Sequence, residues 1–209
     1  MKICAISDTH GKEAWLDLPK GDILIHCGDF HITSLAELEY ANRWFGRQSF
    51  RYKCFVAGNH DTYIEHIGKE VAKSLFTNVI YLENELIEIE GLRIYGSPYV
   101  PYFNNWSFMY QRCSLEAKNI WSKIPYNLDV LITHGAIYGV LDRNSSDIRC
   151  GCEVLAREIM KKKPKRHLFG HIHGNGGLSI TQANIDFYNC SVLNEEYKLT
   201  NKPTILEIN

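Results

Sequence analysis

Long apolar runs are missing from this 209-residue chain. None approaches the ~18 consecutive apolar residues that a membrane-spanning helix needs, which argues against a helical membrane protein. Charge of one sign is missing too: 23 Lys and Arg stand against 24 Asp and Glu, a formal net charge of −1. A chain-wide basic surface built to grip nucleic acid is therefore not expected. There is no internal repeat, low-complexity segment or linker, so the expectation is a single domain over residues 1–209. No apolar leader stands before the first strand, since Met1-Lys2-Ile3 runs straight into it, and no signal peptide is expected. Paired cysteines are absent: the seven are odd in number and lie mostly inside apolar runs (Cys4, Cys27, Cys54). That pattern predicts reduced, buried thiols in a cytoplasmic protein. Cys150-Gly151-Cys152 is too tight for an ordinary zinc pair, has no second pair to match, and reads as structural.

What the chain does have is a recurrent stretch, an apolar run that stops abruptly in metal-ligand residues. Lys2–Ile6 runs into Ser7-Asp8-Thr9-His10-Gly11, Ile23–Cys27 into Gly28-Asp29, and Cys54–Ala57 into Gly58-Asn59-His60-Asp61. Val130–Ile132 runs into Thr133-His134-Gly135, and His167–Phe169 into Gly170-His171-Ile172-His173-Gly174. Short apolar runs closed by glycine and polar residues predict buried strands of an α/β sheet. Ligands in such sheets gather outside the carboxyl ends of the strands.

Between these runs, Ser34 followed by Glu37 is a capping-box signal. Leu35, Leu38, Ala41 and Phe45 then recur at helical spacing, with Gly46 as the predicted end. A second helix is predicted at about 65–75 and a short strand at Val79–Leu82. Residues 84–97 predict a hairpin turning at Glu90-Gly91, so an antiparallel portion joins the parallel one and the sheets are mixed. An aromatic loop, Tyr99 to Trp106, precedes a helix predicted at roughly 107–123. A long polar loop covers 135–150, a helix follows Cys152, and the tail predicts short antiparallel strands near 178–182, 185–189 and 204–208.

Asp8 and His10, two apart at a strand end, can hold one ion from the same side. Asp29 offers two oxygens, enough to bridge two ions; Asn59 adds a carbonyl oxygen, and His134, His171 and His173 add imidazoles. This mixed N/O set suits Mn, Fe, Zn or Ni, with Mn favoured, rather than Ca or a thiolate site. Two divalent ions bring +4 and the two aspartates −2, a surplus suited to an anion such as phosphate. Such a pair lowers the pKa of a bridging water and clamps both oxygens of an in-line displacement. His60 need not bind metal; it can stabilise the charged transition state or protonate a leaving alkoxide.

The ordered set Asp8-x-His10, Gly28-Asp29, Gly58-Asn59-His60-Asp61, Thr133-His134-Gly135 and Gly170-His171-x-His173 resembles the calcineurin-like metallophosphoesterase superfamily. It spans residues 8 to 173, most of the chain. The resemblance implies a four-layer α/β/β/α sandwich and a dinuclear centre whose bridging hydroxide attacks a phosphoester. It implies one ion on Asp8, His10, Asp29 and His173, a second on Asp29, Asn59, His134 and His171, and His60 as the catalytic histidine. Leu92–Pro98, the aromatic loop, and Gly151-Cys152 before a helix are also similar to the metallophosphoesterase-domain (MPPED-type) phosphodiesterases. Some members of that branch carry Gly where this chain has His171. The branch is associated with phosphodiesters, including cyclic nucleotides.

Tyr99, Phe103 and Trp106 are candidates to stack a nucleobase or aromatic leaving group, against the alternative that they cover a sheet edge. Asp61 reads as a loop-fixing residue and His26 as a core histidine, while His31, His66 and His167 carry no spacing argument. Arg143 and Arg149 are exposed loop residues by default, and Lys161–Lys165 a solvated helix end. The function expected is phosphodiester hydrolysis on a small-molecule, nucleotide-type substrate. The alternatives are a phosphomonoesterase, a nuclease, which would call for a basic track, and a non-catalytic scaffold, which would lose ligands or His60 first.

Overall fold

In the computed structural model, which describes residues 1–208, two mixed sheets lie face to face. The first has the order β13-β1-β2-β3-β4, built from β1 (Lys2–Ile6), β2 (Ile23–His26), β3 (Tyr52–Phe55), β4 (Ile80–Tyr81) and β13 (Thr204–Glu207). All its neighbours are parallel except β13, which runs antiparallel to β1. The second has the order β11-β12-β10-β9-β6-β5. Its strands are β5 (Glu85–Ile89), β6 (Leu92–Ser97), β9 (Val130–Thr133), β10 (Arg166–Phe169), β11 (Ser179–Gln182) and β12 (Ile185–Asn189).

Period-two alternation assigns each strand residue to one of three cores. Ile3, Ala5, Ile23 and Ile25 point inward against Val130, Ile132 and Leu168 of the other sheet, forming the middle layer boundary. Cys4, Ile6, Leu24 and Phe55 point outward under the helices α1 (Leu35–Arg47), α2 (Thr62–Ile67) and α3 (Lys69–Leu75). Leu131 and Phe169 point the other way, under α4 (Leu115–Ser122) and α5 (Glu153–Lys162). The result is the expected α/β/β/α sandwich. Both faces of each central strand are buried, which is why those strands read as continuous apolar runs. Among the described residues, no helix is long and apolar enough to cross a membrane.

Local signals act as their chemistry requires. Ser34 Oγ accepts from Glu37 N–H, while Glu37 reaches one residue past the cap to the backbone and hydroxyl of Thr33. The hairpin turn at Glu90-Gly91 has φ of 49° and 83°, the pair that a type I′ turn needs. Three boundaries differ from expectation. The helix at 65–75 is two helices, because Gly68 sits at φ 80° between α2 and α3. The helix placed at 107–123 starts only at Leu115, where Ser114 caps it; Met109–Tyr110 (β8) instead pairs with Val100–Pro101 (β7). Gly46 lies inside α1, which runs on to Arg47. The tail is mixed rather than purely antiparallel, since β12 is parallel to β10.

Candidate metal centre

Five loops leave the carboxyl ends of β1, β2, β3, β9 and β10 and converge at one edge of the sandwich. Asp8, His10, Asp29 and His171 all adopt positive φ, between 44° and 68°. Non-glycine residues hold that conformation only where surrounding contacts impose it, and they gather at functional sites. The imposing contacts are visible. His10 N–H donates to Asp29 C=O, and His171 N–H to the Asp8 carboxylate. The fully buried Asp61 carboxylate accepts four backbone N–H bonds, from Asp29, His31, Ile32 and Gly58. Asp61 thus ties the loops after β2 and β3 together. Burial, then the charge of Asp29, push its carboxyl up to about 7, against the four donors, which favour the anion. A Cβ on Gly58 would stand 2.2 Å from Asp29 Oδ1, and one on Gly170 2.1 Å from Asp8 Oδ2. Only glycine lets these loops approach so closely.

The side chains meet in two trios whose ligand atoms lie within 4.8 Å of one another: Asp8, His10 and His173, and Asp29, His134 and His171. Asn59 joins the second, its Oδ1 3.0 Å from His134 Nε2. All seven residues singled out as ligands in the sequence therefore lie together. Asp29 stands between the trios in an unexpected way. Its Oδ1 is taken by His60 N–H at 2.8 Å. Its Oδ2 alone faces both His10 Nε2 at 3.6 Å and His134 Nε2 at 3.4 Å.

Hydrogen bonding tests whether this set suits cations. His134 Nδ1 contacts Cys27 C=O at 3.0 Å, and His173 Nδ1 contacts Asn194 C=O at 3.1 Å. A carbonyl only accepts, so each Nδ1 carries the proton and each neutral ring leaves Nε2 bare. Those bare nitrogens face oxygens: Asp29 Oδ2 and Asn59 Oδ1 for His134, and Asp8 Oδ1, 3.5 Å away, for His173. His10 Nε2 is buried with no hydrogen-bond partner at all. Lone pairs so converged need positive charge between them, and a carbonyl behind each Nδ1 is the usual support of a metal-binding imidazole. Without metal, protons answer the need. Burial opposes a charge on His134, yet Asp29 lifts it to about 9, and Asp8 likewise raises His173. Burial would raise Asp29 and Asp8, but the imidazoles facing them hold both below the usual carboxylate range. The residues fit divalent ions.

His60 lies beside the trios, 4.9 Å from the His10 ring and 4.1 Å from that of Trp106. Burial lowers its pKa. A cleft of about 530 Å³ opens over His60, Asp29 and Asn59. Phe103 lines it and stands 5.1 Å from His171. Trp106 backs His60 from outside that lining, and the Tyr99 hydroxyl donates to Glu83 at 3.1 Å, away from the cleft. His26 and His167 are fully buried core histidines. Sequence reasoning missed two neighbours. His31 comes within 6.2 Å of the His60 ring, and Tyr197 within 4.9 Å of His10 and 5.0 Å of His173. His31 follows Asp29 by two residues, a proximity that could have flagged it; nothing local marks Tyr197.

The calcineurin-like phosphoesterase family model matches residues 1–175. Metallophosphoesterase domain-containing protein 1 of Homo sapiens is 33% identical, the match covering 99% of this chain and 71% of that protein. A UPF0046 protein of Caenorhabditis elegans is 34% identical, covering 100% of this chain and 60% of its own length. The solved structure of phosphopantetheinyl hydrolase from Mycobacterium tuberculosis shares the fold, with a TM-score of 0.62 at 15% identity, over 94% of this chain and 90% of that one. By these matches the chain belongs to the calcineurin-like phosphoesterases, a family of metal-dependent hydrolases.

Proposed function

We propose that this phosphoesterase cleaves phosphodiesters, with manganese as its favoured ion and cyclic nucleotides among its substrates. The reading is carried by the Nε2 atoms of His134 and His173, aimed at the Asp29 and Asp8 carboxylates under an open cleft. In it, Asp8, His10, Asp29 and His173 hold one divalent ion, and Asp29, Asn59, His134 and His171 the other. Such ions would supply Lewis acidity to phosphoryl oxygens and lower the pKa of a bound water.

The chain's own groups do the rest. Asp29 Oδ1 fixes the His60 backbone, and Trp106 backs its ring. With its pKa lowered by burial, His60 meets the substrate as a neutral imidazole whose ring N–H donates to the leaving oxygen as charge develops there. Phe103, which lines the cleft, offers an aromatic face for a base or aryl group. Diesters are favoured by charge. Two divalent ions (+4) and two aspartates (−2) leave +2, which a hydroxide and a diester monoanion neutralise. A monoester dianion would leave excess negative charge, and the cleft's arginines are already engaged. Arg112 donates to the Gly151 and Cys150 carbonyls and to Glu153, while Arg149 pairs with buried Asp142. The seven cysteines, all free, suit a reducing cytoplasm.

Metal-stripped protein reconstituted separately with Mn, Ni, Zn or Fe, then assayed on bis-aryl and mono-aryl phosphates and on 2′,3′- and 3′,5′-cyclic nucleotides, tests the reading. The expected result is metal-dependent diester cleavage, fastest with Mn and abolished in Asp29→Asn. Preference for the monoester would overturn the diester assignment. Two bound ions with no turnover on any of these would favour the scaffold alternative.

A further inference from the structure

His10, His31 and His60 form a further cluster, which shares His10 with the Asp8 trio. Each can place a ring nitrogen within 4.8 Å of the other two. The ring centroids of His31 lie 6.1 Å from His10 and 6.2 Å from His60. The backbone beneath them is firmly held: His31 and Ile32 N–H donate to Asp61, His60 N–H to Asp29, and Gly11 N–H to Phe30 C=O. His31 is exposed and sits at φ 82°, with its ring 6.2 Å from that of His60, which lines the cleft. Nothing in the proposed hydrolytic chemistry uses it.

The chemistry of this cluster differs from that of the trios. Both trios contain a carboxylate and suit hard ions such as Mn as well as borderline ones. The cluster has imidazoles and no carboxylate, a ligand set that prefers the later ions of the Irving–Williams series. We propose that His10, His31 and His60 are a third, exchangeable cation site that takes zinc, nickel or copper in preference to manganese and arrests turnover when filled. Arrest follows because an ion on His60 occupies the ring nitrogen that would otherwise face the leaving oxygen; this half of the inference rests on the role of His60 proposed above. His10 also stands in the Asp8 trio, so the added ion rests chiefly on His31 and His60 and departs when zinc is withdrawn. The protein would then sense an excess of free zinc while working with manganese.

The test uses His31→Asn, because asparagine tolerates the left-handed backbone that His31 occupies. Manganese-loaded wild type and variant are dialysed against rising zinc at constant manganese; total metal per chain and diester turnover are both measured. Wild type is expected to bind one ion beyond its two and to lose turnover, recovering it on dialysis back into manganese alone. The variant is expected to keep its manganese-dependent turnover, to stop at two ions, and to need about tenfold or more zinc for half-inhibition, the loss expected when a ligand worth about 1.4 kcal/mol is removed. Zinc that merely replaces manganese at a constant total of two ions would overturn the proposal. So would equal zinc sensitivity in the two proteins. The binding measurement needs no turnover, so it decides the site even if the phosphodiesterase reading fails.

Discussion

His167 makes a sharp test of how burial is used in this fold. It is completely buried, its ring 4.9 Å from Phe169 and 5.7 Å from Phe187. Its Nε2 lies 2.7 Å from Thr133 Oγ1, whose single hydroxyl proton already goes to Gly135 C=O at 2.6 Å. His167 must therefore be the donor in that bond, which puts its proton on Nε2 and leaves Nδ1 bare. Nδ1 is buried without a partner. A second proton would find no acceptor there, and burial holds the imidazole down at about 3, far below its unfolded value of 6.5. Between those values the unfolded chain binds the proton and the folded one does not, so stability falls as pH drops from 6.5 towards 3. The slope is about 1.4 kcal/mol per pH unit, or roughly 2 kcal/mol lost by pH 5. Phe in place of His167 removes this slope, at a cost of about 1 kcal/mol for the hydrogen bond to Thr133. Urea unfolding of both proteins, in excess chelator so that metal release does not intervene, should show His167→Phe as the less stable at pH 7 and the more stable at pH 5. A constant difference across that range would refute the argument that the buried ring stays neutral in the fold. His26, depressed to about 3 by the same cause, contributes equally to both proteins and cancels.

Gly58→Ala would force a methyl into Asp29, whose Oδ1 and backbone nitrogen stand 2.2 and 2.5 Å from the new Cβ. Metal analysis should show fewer than two ions per chain, and the strain should cost about 1–3 kcal/mol in chemical unfolding. Asp61→Asn replaces one of two acceptor oxygens with a donor facing backbone N–H groups, so thermal unfolding should register a loss of about 3 kcal/mol or more. Phe103→Ala should raise KM for aryl and nucleotide diesters by about tenfold, as expected for one lost stacking contact, with a smaller effect on dimethyl phosphate. Chelation should lower Tm, since ions at about 100 times their Kd add roughly 2.7 kcal/mol to the folded state.

The candidate site was legible because its residues sit within a few positions of strand ends. Asp8, His10, Asn59, His171 and His173 are announced by apolar runs stopping at glycine-bracketed polar residues, a purely local pattern. The buried strands were legible for a related reason: residues buried on both faces leave continuous apolar runs; the four-layer sandwich itself followed from the family resemblance. What escaped depends on distant pairing. Met109–Tyr110 is a strand only because Val100–Pro101 lies beside it, so its own residues read as the start of a helix. Tyr197 reaches His10 and His173 through a turn nucleated by Asn194, whose Oδ1 accepts from Glu196 and Lys198 N–H; a turn's existence is local, but its destination is not. The single-oxygen approach of Asp29 follows from the claim of His60 N–H on the other oxygen. Chain spacing does not encode that choice.

The ligand loops come from different sheets: those carrying Asp8, Asp29 and Asn59 from the first, those carrying His134, His171 and His173 from the second. Ions bound among them would do more than chemistry. Each would tie residues more than a hundred positions apart, as a disulfide does, and so restrict the unfolded chain far more than a short-range link. In a protein whose seven thiols are all free, such ions would be a reversible cross-link between its two sheets. Loss of the ions should loosen the seam between the sheets before it melts either sheet, with amide exchange rising first in the inward-facing residues next to the ligand loops.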